Sequence, residues 1–540
     1  VSGDVMTPAP LVQHFDLIAQ APGGVARLRE LILKLAVQGK LVPQDPNDEP
    51  ASELLKKIRA EKDRLIAEGK IKRDKPLAVI ADEEKPFELP ESWSWVRLAD
   101  IVNVLNGRAY GKQELLEEGT PVLRVGNLFT SNNWYYSSLN LEPEKYCEAG
   151  DLLYAWSASF GPFIWAGPKV IYHYHIWKLE PHSKSHFDVG YFHTYLQEKT
   201  AEIKAAGHGV SMVHMTKEKM EKIVVPYPPL AEQSRIVTRV EELMQLCDAL
   251  EASGQLEAQQ HAQLVNTLLG TLTQSETPEA LADNWQRIAT HFDMLLDRPS
   301  SLDALEQTIL QLAVRGLLVP QDPTDEPASV LLQKICTEKD HLIAQGKIKR
   351  DKPLPSITDE EKPFELPQGW EWVRLNDLIR IGSGDGLTAA QMAPNGTIPV
   401  YGGNGVNGHH DHANVEEPTV VIGRVGYYCG SVHITPGRAW VTDNAFITRY
   451  PKSYLEMEWL YWLLVGTNLK ENDSATAQPV ISGRKLYPIV VALPPLAEQL
   501  RIVTRVNELR SLCAGLRQRL AALQSGQKQL SQALIENASS

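Results

Sequence analysis

Apolar residues recur at helical intervals in two separated parts of this chain, and the two parts match. Val25, Leu28, Ile32 and Leu35 step by three and four residues along one face, and Leu302, Leu305, Ile309 and Leu312 repeat the pattern. Each run stops near a glycine, Gly39 or Gly316, which predicts a helix end. A second helix is predicted behind each DEPAS turn, from Leu54, Leu55, Ile58, Leu65 and Ile66 to Gly69, and from Leu331, Leu332, Ile335, Leu342 and Ile343 to Gly346. The match is wider than these helices: residues 35–98 return at 312–375, and residues 228–247 return at 494–513. The order is scaffold, variable, scaffold, scaffold, variable, scaffold. What repeats is shared architecture, and what differs is free to carry two pieces of information.

The block behind each variable segment has a longer period. Ile236, Val240, Leu243, Cys247 and Leu250 step by four and three, and Leu264 and Leu268 resume the register after Gly254, Glu257 and His261. Ile502, Val506, Leu509, Cys513, Leu516, Leu520 and Leu523 hold it without a break, and Leu530 and Leu534 extend it. A period of 3.5 over several heptads predicts a coiled-coil seam. Pairing the two helices antiparallel would set the variable segments at the two ends of a rod, about a pseudo-twofold axis.

The variable segments read differently. Short runs bounded by turn residues predict strands: TPVLRVGNLF, GDLLYAWSASFG and KVIYHYHIWKL in the first, IPVYGGNGVNG, TVVIGRVGYYCGSVHI and AWVTDNAFITRY in the second. Helical stretches, DVGYFHTYLQEKTAEIKAA and YLEMEWLYWLLVGTNLK, intervene, so each segment is expected to be a mixed α/β domain.

Composition narrows the class. At 540 residues, several domains are expected. No apolar run is long enough for a membrane span and the first residues lack the pattern of a secretory signal. The five scattered cysteines suggest neither a disulfide framework nor a zinc ribbon, and a cytoplasmic location is expected. Residues 93–227 carry 13 Lys and Arg against 14 Asp and Glu, and residues 370–493 carry 9 against 11, so most of the net charge of −13 lies in the scaffold. Near-neutral segments can present a basic groove but no strong field, so a DNA-binding role would call for a basic partner.

Several motifs carry no chemistry on this reading. Gly403, Gly405 and Gly408 match GxGxxG, but HHDHANVEEP follows in place of the helix that a dinucleotide site requires. His173 and His175 would share one strand face without a third ligand, and the cluster at His409, His410, Asp411 and His412 lacks a distant ligand pair, so no metal site is expected. Trp93, Trp95, Trp370 and Trp372 alternate on an opening strand common to both domains and are expected in the core, as are Cys247 and Cys513.

PPLAEQSRIVTRVEEL and PPLAEQLRIVTRVNEL each close a segment that opens with LPESWSWVRLADI or LPQGWEWVRLNDL. This doubled arrangement resembles the specificity subunit of type I restriction-modification systems over nearly the whole chain. The LAVQGKLVPQDP…KIKRDKPL block is similar to a subgroup with an extended leading region. The resemblance implies a mixed α/β (α+β) chain with an internal pseudo-twofold repeat. In it two target-recognition domains are separated by two long helices pairing as an antiparallel coiled coil. The expected boundaries are a helical region at 1–92, recognition domains at 93–227 and 370–493, spacer helices at 228–275 and 494–540, and a linker with the second helical region at 276–369. The seam comprises Ile236, Val240, Leu243, Cys247, Leu250, Ile502, Val506, Leu509, Cys513 and Leu516.

The resemblance further implies that each domain reads half of a bipartite site on double-stranded DNA. The expected protein partners are two methylation subunits, with restriction subunits joined through the complex and no membrane association. No cofactor is expected in this chain; S-adenosylmethionine belongs to the methylation partner. Phosphates and base edges call for Arg, Lys, Asn, Gln, His, Ser or Tyr on loops. The candidates in the first domain are Arg108, Tyr110, Lys112, Arg124, Asn127, His208, Ser211, His214 and Lys217. In the second they are Asn404, Asn407, His409, Arg424, Tyr427, Asn444, Gln478, Ser482, Arg484 and Lys485. The KIKRDK runs, identical in both copies, are scaffold. The competing readings are a stand-alone DNA methyltransferase, for which no NPPF- or DPPY-like turn is found, and a protein-binding adaptor. No catalytic residue is expected.

Overall fold

Glycines close the leading helices in one way. The computed structural model describes residues 15, 17–73, 77–157, 159–206, 215–350, 353–393, 395–467, 469 and 480–539. In it α1 (Gly24–Val37) buries Leu28, Ile32 and Leu35, and α2 (Ala51–Ala67) buries Leu54 and Ile58. Gly39 at φ 69° lets the Lys40 N–H reach back to the Leu35 carbonyl at 3.0 Å, and Gly69 at φ 71° does the same for Lys70 and Leu65 at 2.9 Å. A left-handed residue at this position satisfies orphan helix carbonyls, and glycine adopts it without a Cβ penalty. A Cβ on Gly39 would also lie 2.6 Å from the Pro90 ring, so the same residue admits the strand entry that follows.

The chain forms two units, Val1–Leu256 with Leu523–Ser540, and Glu257–Ala522. In the first, β1 (Ser94–Arg97) pairs antiparallel with β10 (Val224–Tyr227), the last strand of the variable segment, Ser94 opposite Tyr227. The segment therefore hangs from a two-stranded stem. Within it one sheet has the order β2 (Val102–Asn106), β9 (Ile176–Pro181), β6 (Leu152–Ser157), β7 (Ser159–Ile164). The other runs β4 (Tyr135–Ser137), β3 (Thr120–Leu123), β8 (Val170–Tyr172), β5 (Tyr146–Cys147). Leu123, Cys147, Leu153, Val170, Tyr172 and Ile176 form a core drawn from both sheets. Behind them α3 (Val189–Ala206) lies against α1 and β7, and α4 (Leu230–Thr273) leaves the stem. Two expectations need correction. The run 120–129 is strand only to Leu123 and then turns into a short helix, Val125–Phe129. KVIYHYHIWKL is two strands: the Ile176 N–H bonds the His173 carbonyl at 2.9 Å, and the chain crosses from one sheet to the other at Tyr174 and His175. Alternation cannot reveal a turn made without Gly, Pro, Asn or Asp.

In the second unit α5 (Pro278–Thr290), within the expected linker, and Leu295 share a core with Val265, Leu269 and Leu272 of α4. α6 (Pro299–Val314) and α7 (Ala328–Ala344) repeat α1 and α2, including the glycine closures at Gly316 and Gly346. β11 (Glu371–Arg374) pairs with β19 (Val490–Leu493) as the stem. One sheet has the order β12 (Arg380–Ser383), β18 (Ala445–Arg449), β15 (Val420–Gly423), β16 (Val432–Ile434). The other runs β14 (Gly405–His410), β13 (Ile398–Gly402), β17 (Trp440–Val441). α8 (Met457–Gly466) precedes β19 and α9 (Leu496–Ser539) follows it. The two variable segments, with little sequence in common, share one strand order apart from β5, in whose place the second has a single bridge between Val415 and Ala439. GxGxxG lies on the β13–β14 hairpin, with no helix behind it. Among the described residues no helix is long and apolar enough to cross a membrane.

The repeated motif at each stem is a buried clamp. Glu232 accepts the Trp93 indole N–H at 2.9 Å and the Gln44 amide at 2.5 Å; Glu498 accepts Trp370 at 2.9 Å and Gln321 at 2.7 Å. Gln233 accepts the Asp188 N–H at 3.0 Å and Gln499 accepts the Glu456 N–H at 2.9 Å, each fixing the start of a domain helix. Arg235 and Arg501 reach Asp48 and Asp325 at 2.6 Å. The E-Q-x-R of PPLAEQxR thus ties leading region, variable segment and long helix together. Trp93 and Trp370 are buried as expected, whereas Trp95 and Trp372 are half-buried against Phe87 and Phe364.

A second repeated lock sits under each stem. Buried Arg97 grips both oxygens of Glu84 at 2.7 and 2.8 Å, and Arg374 grips Glu361 at 3.0 Å. The Arg97 hydrogen bonds, then the Ala81 N–H, pull the Glu84 carboxyl down from 4.5 to about 2, and Glu361 is lowered for the same reason. A depressed carboxyl adds stability above its unfolded pKa and loses it as pH falls through the folded one. The wild-type melting temperature is therefore expected to drop more steeply between pH 4.5 and about 2 than that of a Glu84→Gln, Glu361→Gln double variant, followed by circular dichroism.

Each unit contains the first part of one long helix and the last part of the other. Leu534 and Ile535 pack on the core that holds Ile236, Val240, Leu243 and Cys247, and Val265, Leu269 and Leu272 share a core with Ile502, Val506 and Cys513. That is the antiparallel order expected of the two long helices. Of the remaining seam residues, Leu250, Leu509 and Leu516 are half-buried. Part of the cover is scaffold helix: Arg29 of α1 pairs with Asp248 at 2.5 Å and Glu251 at 2.8 Å. In the second copy the charges are exchanged, Glu306 of α6 taking Arg510 at 2.9 Å and Arg517 at 3.0 Å. Each scaffold helix thereby carries the charge that matches its own long helix.

The heptad register does not run the length of either helix. Leu264, Leu523 and Leu530 are more than half exposed, whereas Val265, Leu269, Leu272 and Ser531 are buried. Residues 251–260 are exposed on every side, so no apolar packing there holds the helix to a 3.5-residue repeat. An unconstrained helix drifts about 20° per heptad, and after four heptads the inward position has moved on by one residue. Ile236 to Val265 and Ile502 to Ser531 obey that same step.

Candidate nucleic-acid interface

Where a strand of one sheet hands over to the other, both recognition domains build the same backbone frame. In the first, the His173 N–H bonds the Leu123 carbonyl at 2.9 Å and the Arg108 N–H bonds the Tyr172 carbonyl at 3.0 Å. In the second, Thr442 bonds Tyr401 at 2.9 Å and Asp385 bonds Val441 at 3.0 Å. The handover is a β-turn each time, with Tyr174 and His175, or Asp443 and Asn444, at its two central positions. A neighbouring chain segment braces the turn: the Trp156 N–H bonds the His175 carbonyl at 3.1 Å, and the Arg424 N–H bonds the Asn444 carbonyl at 2.9 Å. Even the bracing side chains act alike. The Trp156 indole donates to the Tyr174 carbonyl at 3.0 Å, and the Arg424 guanidinium donates to the Asp443 carbonyl at 3.3 Å.

Around the first turn the side chains are aromatic and largely uncharged. His173 lies 4.9 Å from His175 and 6.4 Å from the Tyr110 ring, and Tyr174 is 39% exposed. Burial, then His175 and Arg124, lower His173 to about 4, so at neutral pH its imidazole is uncharged and offers both a donor and an acceptor. Desolvation pushes the Tyr110 hydroxyl up to about 12. Arg108 stands over Tyr110 at 5.4 Å, its charge met by Glu114 at 2.7 Å. Arg124 stacks on Tyr135 at 4.2 Å and donates to the Asn133 carbonyl at 3.0 Å. Asn127 is committed to the fold, its amide bonding the carbonyls of Ser131 and Asn133 while its oxygen takes the Arg124 N–H. Lys112 is exposed, and Lys217, on a separate short helix, pairs with Glu221 at 3.4 Å. His208, Ser211 and His214 lie outside the described residues.

The second domain gathers more of its candidates. Arg424 accepts the Ile481 N–H at 2.9 Å through its carbonyl, which brings Ser482 and exposed Arg484 to the turn bearing Asn444. Lys485 is half-buried on the same short helix, Gly483–Leu486. Tyr427 is 74% exposed on the loop behind Arg424, edge-on to Tyr428 at 5.0 Å. Asn404, Asn407 and His409 are exposed along the β13–β14 hairpin. Gln478 lies outside the described residues. Among the described residues no three His, Cys, Asp or Glu side chains gather as a metal site would need.

Of the residues that meet at the two turns, Arg424 and Asn444 are among the candidates named from the sequence, whereas Trp156, His173, Tyr174, His175 and Asp443 are not. The signal lay in position: HYH and TDN each follow a short apolar strand and precede another.

A family model described as the type I restriction modification DNA specificity domain matches residues 90–259 and 367–525. The specificity subunits of the Escherichia coli type I restriction enzymes EcoAI and EcoEI are 35% and 34% identical, over 95% of this chain and 94% of each relative. A chain from a solved structure addressing complex assembly and conformational transition of the type I R-M system is 19% identical, with a TM-score of 0.47, over 84% of this chain and 99% of that one.

Proposed function

Because this chain belongs to the family of type I restriction-modification specificity subunits, we propose that each of its recognition domains reads one half of a bipartite site on duplex DNA. The observation that carries this reading is the pair of recognition folds with one hydrogen-bonded frame and unlike side chains. One geometry presented twice with different surfaces suits two different short sequences. Phosphate contacts set register, and the turn and hairpin side chains reach base edges in the groove.

The duplicated parts suit a partner that is itself duplicated. Leu246 and Leu512 occupy equivalent positions on α4 and α9 and are 45% and 65% exposed. A leucine exposed at the same place twice fits two copies of one protein, and we assign it to two methylation subunits, through which restriction subunits would join. Base methylation and its S-adenosylmethionine belong to those partners, and this chain supplies recognition alone. The near-neutral charge of the two variable segments agrees with a partner that shares in neutralising phosphate.

The test is retention of a random duplex library by the chain reconstituted with its methylation subunits. Two conserved clusters separated by an unread interval are the expected result. Retention without any sequence preference would reject the reading and favour the protein-adaptor alternative.

A further inference from the structure

We infer that Tyr174 and His175 braced by Trp156, and Asp443 and Asn444 braced by Arg424, are the same base-reading element, and that the side chains on it make the two half-sites differ. The inference deepens the function proposed above and rests on it.

The backbone argument is direct. The order of the strands that flank the turn, its closing hydrogen bond and the bracing bonds coincide in the two domains, so the central turn residues leave the frame at corresponding places. With the backbone held constant, a difference in base preference at this place must come from the side chains. Those differ in kind. Asp443 and Asn444, both exposed, carry a carboxylate that can accept from a cytosine amino group and an amide that can pair with adenine through two bonds. The first domain offers a phenol and an imidazole set edge-on to Trp156, Tyr174 at 6.3 Å and His175 at 5.2 Å, while Trp156 itself stacks on Trp177 at 5.5 Å and 20° from parallel. That surface suits van der Waals contact with a thymine methyl and single hydrogen bonds from an uncharged imidazole.

The bracing residues position the readers. Both donate a side-chain hydrogen to the carbonyl of the first central residue, and so hold the turn at one height above the sheets. Arg424 also donates to the Ser383 hydroxyl at 3.4 Å, which ties the turn to β12.

The experiment uses the full chain with its methylation subunits and the same duplex library, with Tyr174→Ala and Asn444→Ala tested separately. Tyr174→Ala is expected to lower base discrimination at least about tenfold at one or two positions of the first half-site and to leave the second unchanged; Asn444→Ala should do the reverse. The conservative Asp443→Asn, which keeps the size of the side chain, should move preference at a second-half position away from cytosine. The half-site read by the unaltered domain reports that the complex still assembles. Wild-type selection that persists unaltered in all three variants would overturn this inference and leave the proposed function standing. So would an equal loss in both halves. Absence of selection by the wild-type complex would instead reject the proposed function.

Discussion

Replacing residues 102–222 with the corresponding segment of a relative is expected to exchange one half of the recognised sequence and nothing else. The cut points follow from the stem: β1 and β10 pair with each other and with neither larger sheet, so a graft between them leaves the Ser94 to Tyr227 register and the Glu232 clamp intact. Each mismatched base pair typically costs about 1–3 kcal/mol, so each altered position should change discrimination by about 5- to 150-fold. Mapping the methylated motif in cells that carry the hybrid checks this. A change in both halves would show that the domains do not read independently.

Glu232→Ala should cost the first unit about 1–3 kcal/mol. It strands one buried donor, the Trp93 indole, at about 1–3 kcal/mol when left unpaired, whereas the exposed Gln44 amide keeps the Gly39 carbonyl and reaches solvent. The gap opens where three parts of the chain meet. Glu232→Gln should behave in the opposite way. Burial raises the Glu232 carboxyl above 4.5, against the lowering effect of its two donors, so folding works against its ionised form. The sign follows from linkage: a raised carboxyl favours the fold at low pH and loses that contribution as pH rises through the folded value. The glutamine retains an acceptor for Trp93 and buries no charge; Gln44 turns its amide over to accept from it, giving up its exposed bond to the Gly39 carbonyl. Urea denaturation near neutral pH should place Glu232→Ala well below wild type and Glu232→Gln at or above it. Glu498→Ala should weaken the second unit in the same manner, since Trp370 and Gln321 meet Glu498 alike.

The repeats carried most of the architecture in legible form. Helix ends at Gly39, Gly69, Gly316 and Gly346 were readable because a left-handed closure leaves a local chemical mark. The seam residues of the long helices were readable as buried because periodicity reports a stripe; it does not report what covers the stripe. Hence the ion pair of Arg29 with Glu251, and its exchange to Glu306 with Arg517, could not be anticipated. Leu264, Leu523 and Leu530 were placed inward on a 3.5-residue repeat that applies only where a partner constrains the helix. Among the candidate contacts, Arg424 and Asn444 come together, whereas Asn127 is consumed by its own loop. A polar residue on a loop looks the same in sequence whether it serves the fold or faces outward.

By itself the sequence determined that this protein is a scaffold written twice around two unlike inserts, because duplication and helical period are properties of residue order. Only the tertiary structure decided that the inserts are one fold, that E-Q-x-R is a buried clamp, and that HYH and TDN occupy the same turn. Those facts depend on hydrogen bonds between residues distant in the chain, which backbone groups form whatever side chains they carry. Two segments can therefore share a frame without sharing a sequence.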